Sequence, residues 1–297
     1  MIAHPAIRAH VAMLLFSGVV AGSFSLGHGI ANEISPAALT AMRFMLAAVI
    51  MAAWVWRTRG LSRRDLQAPW RYLVLGGLMG AYFVLMFEGL KTAPAVSTSA
   101  VFTLTPALSA VFGYVLLSQF VTSRIMAALS IGCIGAVWVI FRADFDALLA
   151  LQIGRGEGIY FLGCVAHALY TPLVRKLNRG QSPVAFTFGT IVGAMPLLLL
   201  YGGGDLATTD YAALRPIVWV TLIYLAVFAS AGSFFLVQYS TLHLPSAKVM
   251  AYTYLTPSWV ILWEGALGKA LPTPGVWVGV VATILALTLL LRDESAQ

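Results

Sequence analysis

Charge is what this chain has least of. Asp, Glu, Lys and Arg together supply 10% of its 297 residues, whereas 60% are hydrophobic and the mean hydropathy is +0.88. A soluble domain needs a polar coat, and this composition cannot provide one. Cysteine is nearly absent as well. Cys133 and Cys164 lie inside apolar runs and are most simply packing residues, with nothing to suggest a disulfide or a metal. There is no G-x-x-x-x-G-K-[ST] phosphate loop, so the chain does not power itself with ATP, and no H-E-x-x-H pair. The histidines, His4, His10, His28, His167 and His243, are scattered. No hydrolytic constellation, metal site or cofactor site emerges. Polar groups within the apolar runs are too sparse for an intramembrane enzyme.

What is abundant is apolar sequence in lengths of roughly 17–25 residues, enough to cross a hydrocarbon core about 30 Å thick. Ten spans are readable, at 9–31, 36–56, 72–90, 94–117, 122–141, 158–174, 183–201, 216–239, 246–267 and 273–291. They do not alternate in polarity as barrel strands do. The predicted fold class is an all-α polytopic membrane protein of ten transmembrane helices. The first run, from Val11 to Ile30, imitates a signal peptide with Val19-Val20-Ala21 as a weak cleavage site. The spans that follow favour a retained helix.

The formal charge of +7 invites a nucleic-acid reading, but its distribution argues against that partner. Arg8, Arg57, Arg59, Arg63, Arg64, Arg71, Arg124, Arg175, Lys176, Arg179 and Arg292 all fall on one side of a ten-span chain. Glu33, Asp144, Asp146, Asp205 and Asp210 fall on the other, with Arg142, Arg155 and Arg215 the exceptions to its acidity. Excess Lys and Arg mark cytoplasmic loops, so both termini are expected in the cytoplasm. Anionic lipid contact is a secondary role for the basic loops.

One segment occurs twice. Pro94, Ala100, Leu104, Thr105 and Pro106 coincide at one constant offset with Pro245, Ala251, Leu255, Thr256 and Pro257. The offset sets span four opposite span nine, so each copy has five helices, expected over 1–145 and 156–297. An odd number of crossings makes the second copy enter from the opposite side, the inverted arrangement of many secondary transporters.

Few residues within the spans can carry function. Pro106 and Pro257 lie mid-span, where proline removes a backbone hydrogen bond and bends the helix. They read either as a paired hinge or as static kinks. Ser97, Thr98, Ser99, Thr103, Thr105 and Ser109 give span four a hydroxyl-rich character, Thr98, Phe102, Thr105 and Ser109 sharing one face. That stripe suits either a wet cavity or close helix approach. His167 lies near the middle of span six, where an ionisable group suggests substrate binding or a coupling proton; a neutral histidine joining two helices is the alternative. Lys248 is explained by snorkelling from a span end. Glu88 and Lys91 can pair, and Arg43 needs a partner such as Glu33, Glu88 or Glu264. Tyr82 and Tyr252 lie deep enough to stack on a cargo.

Ile34-Ser-Pro-Ala-Ala-Leu-Thr-Ala-Met-Arg43-Phe, Gly89-Leu-Lys-Thr-Ala-Pro-Ala, Leu104-Thr-Pro and Gly132-Cys-Ile-Gly135 resemble the EamA-type drug/metabolite transporter repeat, with Tyr252-Thr-Tyr-Leu-Thr-Pro257 and the Gly279 region as the second copy. The resemblance covers essentially the whole chain. It implies two inverted units around a cavity formed by spans one, three, four, six, eight and nine. One departure stands out: the glycine-glutamate pair that commonly ends spans four and nine is Ser118-Gln119 and Gly268-Lys269 here. The resemblance implies a secondary transporter, not an enzyme, whose partners are a small-molecule substrate and the lipid bilayer, with a homodimer left open. Export of amino acids, aromatic ones included, or of related metabolites is the leading expectation. Uptake of a vitamin such as riboflavin and drug efflux are alternatives; a membrane-embedded enzyme and a passive channel are further ones. Tyr82, Ser99, Thr103, His167 and Tyr252 are the expected substrate-binding residues.

Overall fold

A computed structural model describes residues 5–58, 61–63, 65–150 and 152–292. His4, Arg59, Arg64 and the side chain of Arg292 lie outside that description. The described chain is helical: α1 (Pro5–Ile30), α2 (Pro36–Arg57), α3 (Trp70–Leu90), α4 (Ala95–Phe102), α5 (Thr105–Leu117), α6 (Ser123–Ile140), α7 (Phe145–Leu149), α8 (Arg155–Leu177), α9 (Pro183–Thr208), α10 (Pro216–Ala226), α11 (Ser233–Thr241), α12 (Ser246–Ala251), α13 (Thr256–Ala266) and α14 (Pro274–Arg292). A π-helical segment, Val227–Gly232, joins α10 to α11, and a 3-10 turn, Tyr252–Leu255, joins α12 to α13. Several starts follow from local chemistry. The Ser35, Thr122 and Ser182 hydroxyls accept from the amides of Ala37, Ile125 and Ala185, and Pro36 and Pro183 supply preset φ angles where an amide proton is not needed.

Eight helical stretches among the described residues are long and apolar enough to cross a membrane. The expected sixth and ninth spans do not meet that measure. Both are rich in polar residues: α8 carries Arg155, Glu157, His167, Arg175 and Lys176, and the ninth span carries Lys248, Thr253, Thr256 and Glu264. Both still run through the bundle, α8 along α3 and α5, and α12–α13 across α5, α4 and α1.

Packing repeats itself when the two halves are exchanged. α3 lies on α8 as α10–α11 lies on α1, and α4–α5 lies on α8 as α13 lies on α1. α2 faces α9, and α6 faces α14. The two broken spans cross each other with α4 against α13 and α5 against α12, so they run antiparallel, as opposed copies must. Glycine permits the close approach of α6 to α14. A Cβ on Gly135 would lie 2.7 Å from the Gly279 carbonyl oxygen, and one on Gly279 would lie 2.6 Å from that of Gly135.

The ends of the helices gather on two faces. On one, buried Arg71 donates to the carbonyls of Leu177 (2.6 Å) and Gln67 (2.8 Å), and Tyr72 donates to Asp65 (2.7 Å). The chain's first helix begins on this face, where Ser240 donates to the Ala9 carbonyl at 3.2 Å. On the other face Arg215 pairs with Glu33, Ser35 donates to Asp205, and Lys91 pairs with Glu88 at 2.8 Å as the spacing predicts. The Arg215 hydrogen bond holds the Glu33 carboxyl below the usual range. Its contribution is therefore present at neutral pH and lost as the medium becomes acidic.

Both broken spans end in left-handed backbone, at Ser118 (φ 53°) and Gly268 (φ 73°). Glycine adopts that geometry freely and serine does not. Ser118→Gly is therefore expected to raise the thermal midpoint of the purified protein. The gain is about 0.5–1 kcal/mol once the extra unfolded-chain entropy of glycine is subtracted.

Candidate functional site

At the centre of the bundle five helices converge on His167. Its ring centroid lies 4.6 Å from that of Tyr82, 5.2 Å from Phe102, 6.3 Å from Tyr170 and 6.4 Å from Phe16. The hydroxyls of Tyr82 and Tyr160 are 3.0 Å apart, and Phe83 stacks on Phe234 at 5.9 Å. The void these side chains leave is about 10 Å³, at the lower limit for one water. Nδ1 of His167 is buried with no hydrogen-bond partner. An unmet polar atom in such a place is costly.

Tyr82 and His167 are thus brought together. Ser99 and Thr103 are fully buried, but their hydroxyls turn back to the carbonyls of Val96 and Ala100, both at 2.7 Å. Tyr252 sits apart from the cage, its hydroxyl 3.0 Å from His10 Nδ1. The hydroxyl stripe of span four is spent on packing: Thr98 donates to Pro94, and Ser109 donates across to the Ala168 carbonyl of α8 at 3.2 Å. Pro106 and Pro257 each stand in the first turn of a restarted helix, α5 and α13. The two breaks touch, since Thr105 Oγ1 lies 3.3 Å from Thr253 Oγ1.

Arg43 corrects an expectation. None of the three glutamates suggested as its partner reaches it, because Glu33, Glu88 and Glu264 pair with Arg215, Lys91 and Lys269. Its guanidinium instead binds the π-helical segment, donating to Ser230 Oγ and the Ala229 carbonyl, both at 2.8 Å, and to the Leu225 carbonyl at 3.4 Å. The charge also lies 3.8 Å over the Phe83 ring, which couples it to the cage. A π turn frees carbonyls that an α-helix would consume, and arginine has the donors to take several at once. Gln238 is a second residue that sequence reasoning missed. Its amide donates to Tyr170 Oη (2.8 Å) and Thr190 Oγ1 (3.0 Å) and accepts from Thr187 (2.9 Å), locking one wall of the cage.

Two clefts lie apart from the cage. One opens beside Arg175 and Lys248, has a volume of about 470 Å³, and includes Ala110, Gln119, Ile125 and Ala247 in its walls. The other, of about 340 Å³, is walled by His28, Ser97, Arg142, Glu264 and Val276 among others. Exchanging the halves of the molecule carries the start of α12 and the end of α5 in the first cleft onto the start of α4 and the end of α13 in the second. Neither cleft has a residue of the cage in its walls.

A sequence profile for the EamA-like transporter family matches residues 8–141 and, a second time, residues 154–292. The chain belongs to this family. Among curated relatives of this EamA-like transporter, the uncharacterized transporter YyaM of Bacillus subtilis (strain 168) is 27% identical over 286 residues, spanning 94% of this chain and 92% of the relative. An uncharacterized transporter of Archaeoglobus fulgidus is 24% identical over 257 residues, spanning 84% and 86%. A solved crystal structure superposes with a TM-score of 0.71 at 19% identity, covering 96% of this chain and 95% of its own, and shows the shared fold.

Proposed function

We propose that this EamA-like transporter is a secondary carrier that exports amino acids or related small metabolites across a bacterial inner membrane by alternating access. It crosses the membrane ten times, with the Arg175 face in the cytoplasm, where positive-inside bias puts the basic loops. The carrying observation is the aromatic cage at the centre of the bundle, holding a buried histidine nitrogen with no hydrogen-bond partner, together with two clefts related by exchange of the halves. The present state is then the occluded one, and either cleft reaches His167 when α4–α5 and α12–α13 part at their breaks. In the open state Tyr82 and Phe102 stack on the cargo and His167 supplies its hydrogen bond, while Ser99, Thr103 and Tyr252 support the walls. Ring faces on several sides also favour a second reading, uptake of a flat vitamin such as riboflavin.

Counterflow in proteoliposomes against a panel of amino acids tests the proposal. Saturable, strongly temperature-dependent exchange is expected; single-channel currents would exclude alternating access. Export predicts resistance to toxic amino-acid analogues, whereas rescue of a vitamin auxotroph would favour uptake. His167→Leu separates function from stability. It removes an unmet polar atom whose burial costs about 1–3 kcal/mol, so the folded protein should be no less stable. Cargo affinity should nevertheless fall about tenfold, the loss of roughly 1.4 kcal/mol of binding. Unchanged half-saturation in counterflow would remove His167 from the site.

A further inference from the structure

One buried carboxylate has no cation to answer it. Glu157 stands in the first turn of α8 and is only 5% exposed, yet no lysine or arginine pairs with it among the described residues. Its Oε1 accepts from the Ser97 hydroxyl of α4 at 2.7 Å, and among the same residues no hydrogen bond reaches Oε2. The N-terminus of α8 favours the negative charge without supplying a counter-ion. The single Ser97 hydrogen also has a second acceptor in reach, the carbonyl of Ile140 at 3.5 Å. α6 ends at Ile140, and the amides that follow turn to other carbonyls: Arg142 donates to Val139, Ala143 to Trp138 and Asp144 to Phe141. Acceptors on Glu157 and Ile140 therefore outnumber the donors supplied to them.

Both residues line a cleft of about 310 Å³ at the end of α8 remote from Arg175, a size that suits a small molecule. Arg142 lines it too, exposed and without an ion-pair partner among the described residues, and belongs as well to the wall of the 340 Å³ cleft beside Ser97. The other acid of the cleft, Asp144, is occupied at the start of α7, where it accepts from the amides of Asp146 (2.9 Å) and Ala147 (3.0 Å). Gly154 keeps space for the Glu157 carboxylate, since a Cβ there would overlap Oε2. What the cleft lacks is a positive group with several N–H donors, which describes a primary ammonium. A buried carboxylate holds such a group more firmly than a surface one, because water screens the pair less. We propose that this cleft binds the two charged ends of an α-amino acid, its ammonium on Glu157 and the Ile140 carbonyl and its carboxylate on Arg142. The inference rests on the carrier reading above and narrows its substrate class to zwitterions. In the orientation of that reading the cleft faces outward, so it is a release site, joined to the 340 Å³ cleft by Arg142.

The test uses the full chain in a neutral detergent, with choline chloride as the salt so that no sodium competes for the carboxylate. L-Alanine carries both charged groups, propionate lacks the ammonium and ethylamine lacks the carboxylate. L-Alanine should raise the thermal midpoint at millimolar concentration, ethylamine should do so less and propionate least. Glu157→Gln keeps an acceptor for Ser97 while removing the charge, and should weaken the apparent alanine affinity about tenfold. Gly154→Ala, which pushes the carboxylate aside without removing it, should weaken it as well. Arg142→Gln should weaken the alanine response and leave that of ethylamine in place, a split that a merely structural arginine would not give. An undiminished alanine response in folded Glu157→Gln, or equal stabilisation by propionate, would overturn the assignment. So would a midpoint raised by sodium chloride in the unaltered chain and not in Glu157→Gln, which would make the cleft a metal-ion site. Should Glu157→Gln fail to fold, Gly154→Ala and the ranking of the three probes decide. Counterflow of alanine on the same preparations keeps the two readings apart. Exchange without a Glu157-dependent alanine response removes only the release site, whereas such a response without exchange removes the carrier reading.

Discussion

Arg43→Met is expected to deplete folded protein in the membrane, at a cost of about 2–4 kcal/mol against a total stability of about 5–15 kcal/mol. The size follows from what the guanidinium holds. Its loss strips hydrogen bonds from the Ser230 hydroxyl and the Ala229 carbonyl in the π segment and from the Leu225 carbonyl near the end of α10. It also removes a cation from the face of Phe83. Against this stands the relief of no longer burying a charge, which is large in hydrocarbon surroundings. The comparison favours retention because arginine's charge is spread over a planar group and met by several oxygens and a ring. Lysine keeps the charge but concentrates it at one point and cannot span Ser230 and two carbonyls, so Arg43→Lys should fall between methionine and the native residue. Fluorescence-detected size-exclusion yield and thermal midpoint read both variants. A methionine variant with the native midpoint would show that the π segment relaxes to an α-helix and satisfies itself.

The same region shows where sequence reading stops. The helical membrane class and the doubled family repeat were legible because hydrophobic length and a duplicated Leu-Thr-Pro each leave marks in one dimension. The burial of His167 within the bundle was legible from its place in an apolar run. The π segment was not, since Val-Phe-Ala-Ser-Ala-Gly has no signature separating an i→i+5 turn from an ordinary helix. Nor was the fate of Ser99 and Thr103. Helical spacing gives the face on which a hydroxyl sits, but a serine or threonine in a helix can satisfy itself on the preceding turn, and these two do. Arg43 illustrates a related limit: a buried cation was expected to seek a carboxylate, whereas freed backbone carbonyls served instead. Lys248 was readable as a difference between the copies, but its burial in a cleft wall depends on how α12 crosses α5.

That crossing carries the second large effect. In the Pro106→Ala and Pro257→Ala double variant, counterflow is expected to slow about tenfold while folding is kept, since each proline stands in the first turn of a restarted helix, where its missing amide costs little. The first break has a specific chemistry. An amide at residue 106 would donate to the Phe102 carbonyl in a continuous helix; proline has none, and the Thr105 hydroxyl takes that carbonyl in its place. In the second break the amide of Thr256 turns to Thr253 in a 3-10 step, and the Thr256 hydroxyl is left without a partner. Restoring the missing amides lets both spans close into continuous helices, which removes the cheap bend at the point where they touch. The two single variants then discriminate between mechanisms. If one break opens the molecule to one face and the other to the opposite face, each substitution lengthens a different step of one cycle, and cycle times add. Singles slowed about fivefold each then give a double slowed about tenfold, because successive slow steps sum. If both breaks bend in a single step, the barriers add instead and the same singles give a double slowed about twenty-five-fold. The opposed placement of the breaks, with α4 on α13 and α5 on α12, predicts the first result. Native flux in the folded double variant would assign both prolines to packing alone.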